Sequence, residues 1–140
     1  MEEKYPFMLE RIQSMLIDSV LIIAFMIIFS DILSNFKDVP NWLRAILLIS
    51  LFLYEPIATA AGGTIGNNIK GIRVRKNEDE AQSINFFQAF IRYFFKLLFG
   101  WLSFITIFSN NKKRAIHDIF SGTVMIKVQS IQSKTIKNHE

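Results

Sequence analysis

Few side chains in this sequence could carry chemistry, and those that could sit in apolar surroundings. Asp18 interrupts the run RIQSMLIDSVLIIAFMIIFS at residues 11–30, and Glu55 stands beside Pro56 in WLRAILLISLFLYEPIATAA at residues 42–61. Arg92 and Lys96 lie in a Phe-rich stretch further on, and Asp118 follows His117. A low-dielectric setting raises a carboxyl pKa while a nearby guanidinium lowers it, so Asp18 and Glu55 are candidates for proton exchange or cation binding. Arg11, Ser14 and Asp18 share one helical face, because seven residues make close to two turns. Their two charges would still be ~10 Å apart along the axis, so each needs a partner from elsewhere. Charge balance offers Arg92 and Lys96 as counter-charges for Asp18 or Glu55, and Asp118 for Arg11. The structural alternatives are snorkelling of Arg11 to an interface, a static helix-orienting pair at Asp18, and a cap or turn role for Asp118.

Catalytic chemistry is poorly supplied. With no cysteine there is neither a thiol nucleophile nor a thiolate metal site, and the two histidines, 117 and 139, lie in different contexts. Ser121 follows His117 and Asp118, but residues so close in sequence seldom adopt acyl-transfer geometry. No phosphate loop, zinc signature or dinucleotide fingerprint occurs. We therefore expect no enzyme activity, no metal and no cofactor. A net charge of +4 fits loops facing anionic lipid better than a nucleic-acid surface, so no nucleic-acid partner is expected.

The elements that must position these groups follow from hydropathy. About 20 residues at ~1.5 Å rise cover roughly 30 Å of hydrocarbon. Val20, Leu21, Ile22, Ile23, Phe25, Ile27, Ile28 and Phe29, with their neighbours Leu16 and Ile17, each favour insertion by about 0.3–0.6 kcal/mol, which together outweighs one off-centre Asp at up to roughly 3 kcal/mol. Residues 11–30 are thus expected to span a membrane and to be retained, since no small-residue cleavage site follows. Residues 42–61 are the second expected span, with Pro56 expected to kink it. No stretch between charges reaches 18 residues, so this reading needs ionisable groups inside the membrane; a greasy cytosolic bundle is the alternative. Ala58, Gly62 and Gly66 recur every four residues, which suits close backbone approach. Gly62 and Gly63 read equally well as a helix stop.

Alternation at Ile72 and Val74, and again over residues 123–128, predicts two short strands that pair with each other. Between them, residues 84–109 form a third apolar region. Its polar residues Asn85, Gln88, Arg92, Lys96, Ser103 and Thr106 fall within about 80° of one another on a helix. That stripe faces either water or the other helices, and Gly100 is a candidate break. The basic clusters at residues 70–76 and 112–114 belong in the cytoplasm by the positive-inside rule. The intervening segment is then re-entrant or interfacial, with a third crossing as the alternative.

The same residues resemble a known family. Arg11 and Asp18 in RIQSMLID, Gly63 and Gly66 in GTIG, Gly71 in KGIRV, Arg92 and Lys96 in FQAFIRYFFK, and Asp118 and Gly122 in HDIFSGT are similar to the motifs of the RDD family of small prokaryotic membrane proteins. Its name would denote Arg11, Asp18 and Asp118 here. The resemblance covers about residues 5–128, and Asn67 departs from a position usually basic in the family. It implies no settled activity; transport of an unidentified ligand is the customary conjecture.

Together these features predict an all-α membrane protein. It has two transmembrane helices, a third apolar helical segment (re-entrant, interfacial or spanning) and a short two-stranded β element on the cytoplasmic side. Residues 1–128 form a single domain, and residues 129–140 are expected to be a polar, disordered tail. The expected location is the inner cell membrane, with several passes and both termini cytoplasmic. The expected partners are the bilayer and a second copy or another membrane protein. The function expected is a transport component for an ion or small ligand, with a non-transporting scaffold or accessory subunit as the alternative.

Overall fold

The computed structural model describes residues 3–137; His139 and the last residues of the polar tail lie outside them. Pro6 and Phe7 lead into α1 (Met8–Ser34), whose first turn is capped by the Glu10 carboxylate accepting the Phe7 N–H at 2.8 Å. Pro40, with its fixed φ, precedes α2 (Asn41–Ala60), which continues as helix through Pro56. It stops where Gly62 and Gly63 take φ of 136° and 148°, and the Gly63 N–H closes the end on the Ala58 carbonyl at 2.8 Å. The most apolar stretches of α1 and α2 have mean hydropathies of 2.4 and 1.6, long and apolar enough to cross a membrane. A core helix of a water-soluble protein would be mostly covered, whereas only 6% and 17% of these stretches are buried.

The short α3 (Ile65–Ile69) begins at Thr64, whose hydroxyl accepts the Asn67 N–H. Gly71 then turns the chain into β1 (Ile72–Lys76). After an acidic loop come α4 (Phe86–Phe99) and a 3₁₀ helix (Gly100–Ile107), separated at Gly100 with φ of 49°. The six-residue α5 (Ile116–Ser121) ends on left-handed Gly122 and feeds β2 (Thr123–Lys127). The strands pair antiparallel, with Ile72 opposite Lys127 and Val74 opposite Met125. The chain is therefore mostly helical, with one two-stranded antiparallel sheet. Val128–Lys137 forms α6, continuing directly from the sheet.

Burial is inverted relative to a water-soluble fold. The buried residues of α1 are Arg11, Ser14 and Asp18, those of α2 Glu55, Pro56 and Thr59, and those of α5 His117, Asp118 and Ser121. Phe86, Phe87, Phe94, Leu97 and Leu98 of α4 point outward, while Arg92 and Tyr93 point in. The polar stripe of the third apolar region thus faces the other helices. The apolar packing that exists is small: Ile72, Val74, Ile84, Ala89 and Met125 beside the sheet, and Phe104, Ile107 and Ala115 under Met8 and Met15.

A close backbone approach brings α3 against α1. A Cβ added at Gly66 would lie 2.1 Å from the Ser14 carbonyl oxygen and 2.9 Å from the Asp18 carboxylate. Gly66 makes the close approach, and Gly62 and Gly63 make the stop, so each reading of the small-residue run holds for different glycines. Gly66→Ala should lose at least ~1–3 kcal/mol through overpacking, seen as a clear fall in melting temperature in detergent. Gly71→Ala, left-handed but with open space around its Cβ position, should lose only about 1 kcal/mol. Equal melting of Gly66→Ala and the parent would contradict the α1–α3 contact.

Candidate functional site

The buried charges converge where the lower ends of α1 and α2 meet α3, α4 and α5. Asp118, wholly buried, is the hub. Its Oδ2 accepts from Arg11 Nη1 at 2.6 Å and from the Ala115 N–H at 3.1 Å, and its Oδ1 accepts from Arg92 Nε at 2.8 Å. The α5 segment that carries it is pinned from below: Arg114 donates to the Thr123 carbonyl at 2.9 Å and to the Asp118 carbonyl at 3.2 Å. Burial alone would raise the Asp118 carboxyl pKa, but the Arg92 and Arg11 guanidiniums override it and hold it well below the usual carboxylate range. Arg11 therefore does not snorkel; it is 3% exposed.

Asp18 has a different environment. Neither Arg92 nor Lys96 reaches it. Its Oδ1 accepts the Gly66 N–H at 2.8 Å and its Oδ2 accepts the Thr64 hydroxyl at 2.5 Å, so it is held by the first turn of α3. Lys96 pairs instead with Glu55 of α2. Asn67 is buried and accepts the Ser14 hydroxyl at 2.8 Å. Three cations (Arg11, Arg92, Lys96) thus stand near three carboxylates (Asp18, Glu55, Asp118). Gly63 packs against Arg73, Gly71 turns into β1 and Gly122 turns into β2; these glycines shape the frame and are not in the cluster.

His117 lies beside the hub. Its Nδ1 faces the Ser103 hydroxyl, which also accepts the His117 backbone N–H at 3.1 Å, and its ring meets Phe104 edge-on. Burial pushes its pKa down to about 3, against the attraction of Asp118, so the ring is neutral near pH 7. Between the ion pairs is a polar cavity of about 20 Å³ whose lining includes Arg11, Asp18, Glu55, Asn67, Lys96 and His117. Arg11 Nε and Nη2 are buried there with no protein partner. That volume has room for about one water and for no organic ligand.

Arg11, Asp118 and Arg92 converge on one buried site, with Asp18 on the same face of α1, and a family model for the RDD family matches residues 5–122. The chain belongs to the RDD family. No curated protein and no solved structure matches it. The two buried aspartates do different work here: Asp118 binds guanidiniums, while Asp18 caps a helix. Thr64, Asn67 and Ser103 complete the site; the sequence marks Asn67 and Ser103 only as a motif departure and a stripe residue, and does not mark Thr64. Thr64 had a usable signal, since a Thr ahead of a short helix is a preferred N-cap.

Removing the hub should be severe. Asp118→Asn leaves two buried guanidiniums uncompensated and should cost about 3–5 kcal/mol, read as lost thermal stability in detergent. Glu55→Gln, at the partly accessible pair, should cost less. Acid should weaken the fold through His117. Its folded pKa of about 3 lies below the unfolded value near 6.5, so the unfolded chain takes up the proton first as pH falls. The contribution is complete above about pH 6.5 and declines towards pH 3 at up to ~1.4 kcal/mol per pH unit. His117→Gln should flatten the melting temperature between pH 6.5 and 4; an unchanged slope would assign the acid sensitivity elsewhere.

Proposed function

We propose that this RDD protein is a non-enzymatic integral membrane scaffold or accessory subunit, and that its buried charges act as a permanent latch between helices. The observation that carries the membrane reading is the inverted burial: polar residues line the inner faces of α1, α2 and α5, and large apolar residues cover the outside. In lipid that arrangement is the favourable one, because ionisable groups are driven inward to find partners. The latch reading rests on saturation: each of the three carboxylates already has a cation or capping donors, and the cavity between them has room for little more than a water.

In this reading α1 and α2 cross the bilayer and α4 with its 3₁₀ continuation is re-entrant. Pairing of β1 with β2 brings both ends of that segment together, which supports a return to the side it left, and α4, broken from its 3₁₀ continuation at Gly100, is by itself about 21 Å long, short of a full crossing. The positive-inside rule puts the sheet and both termini in the cytoplasm. A transport role, for a proton or small ion, is the second reading. Arg11 Nε and Nη2, unpartnered at the polar cavity, favour it.

Because the chain has no cysteine, single-cysteine labelling gives a direct topology test. Glu78→Cys and Asn111→Cys should label from one side of the membrane and Lys37→Cys from the other. Labelling of Glu78→Cys and Asn111→Cys from opposite sides would replace the re-entrant segment by a true span. A scaffold should give no ion or proton flux in liposomes, and its Asp18→Asn and Glu55→Gln variants should lose assembly. Flux that vanishes in those variants while they still assemble would establish transport instead.

A further inference from the structure

At the end of the molecule away from the sheet, α1 and α2 stand apart around a groove of about 360 Å³. Its walls include Met26, Phe29 and Leu33 from α1 and Leu47 and Leu51 from α2, and one charged residue, Arg44, stands on its rim. No carboxylate among the described residues lies within ion-pair distance of Arg44; Asp31 and Asp38, at the same end of the molecule, are both beyond it. The Arg44 guanidinium is therefore an exposed, unpaired, bidentate donor above an apolar slot.

We propose that this groove binds an anionic phospholipid, one acyl chain lying between α1 and α2 and the phosphate held by Arg44. The proposal rests on the membrane reading above. An apolar slot in hydrocarbon is filled, because open space forfeits dispersion contacts. A guanidinium at the mouth of an apolar slot is complementary to a phosphate joined to a hydrocarbon chain, and that charge match is what favours a lipid over a helix of a second copy. An acyl chain is slimmer and matches the wall chemistry. The guanidinium selects among lipids, since its fork pairs with phosphate oxygens, and near a membrane surface each such cation is worth about fivefold in affinity for anionic lipid. Arg44 lies in the first turns of α2, whose free amides add positive potential in the same place.

The test uses the full chain reconstituted in vesicles of mixed phosphatidylglycerol and phosphatidylcholine, with retained lipid counted by native mass spectrometry after extraction. The parent should keep phosphatidylglycerol over phosphatidylcholine by about fivefold, Arg44→Gln should lose that preference, and Arg44→Lys should keep part of it. Leu47→Trp, which fills the slot, should lower retention of both lipids. Equal preference in the parent and Arg44→Gln, or a cross-linked second copy across the groove, would overturn the proposal. Alkaline extraction of the same vesicles separates the two levels: a protein released into the wash contradicts the membrane reading itself, whereas a protein that stays inserted without lipid preference contradicts only the groove.

Discussion

One carboxylate holding two guanidiniums is the interaction on which the rest depends. Asp118 sits on a six-residue helix that could not persist alone, yet it links Arg11, 107 residues away in sequence, to Arg92, 26 residues away. Each attraction is worth about 4 kcal/mol at an effective dielectric of 20. Desolvating each ion costs several kcal/mol. The cluster therefore comes close to breaking even as stability, and its main effect is to select an arrangement. The docking of α1 against α4 and α5 pairs these three charges and leaves none stranded.

Around that hub the chain solves two problems at once. Burying the polar inner faces leaves few apolar contacts inside, and the two apolar clusters beside the sheet and under Met8 are small. The two-stranded sheet compensates by pairing backbone groups of segments far apart in sequence, and the N-terminal segment extends it, with the Lys127 N–H donating to the Lys4 carbonyl at 3.0 Å. Above this assembled base, α1 and α2 extend with almost nothing of the protein against them. In the proposed membrane setting lipid is their packing partner there, which explains why large apolar residues, and few small ones, populate their outer halves.

The buried charges themselves illustrate how far residue identity goes. Arg11 and Asp118 are partners, but Asp18 is tied to Thr64 and the Gly66 amide. An aspartate within an apolar run announces that it needs donors; it does not say whether they are cations, hydroxyls or amides. Glu55 and Lys96 carried the same ambiguity, which resolved as a pair between α2 and α4. Asn67 shows that a neutral side chain can serve the same end, for it holds α1 through Ser14.

What the amino-acid order determined by itself is everything governed by local periodicity and local hydropathy. The two long apolar helices, the glycine stop after α2, the break at Gly100, the alternation of β1 and β2 and the polar stripe of α4 all arise from neighbours within a few residues. Charge balance also narrowed the partners of Arg11. Tertiary structure decided which way the α4 stripe faced, which donors Asp18 received, that Gly66 and not Gly62 touches α1, and that the polar tail continues as α6. The reason is physical: a helix and the alternation of a strand are specified by neighbours four residues apart or fewer, whereas the β1–β2 pairing and an ion pair between residues 11 and 118 exist only when distant segments have docked together.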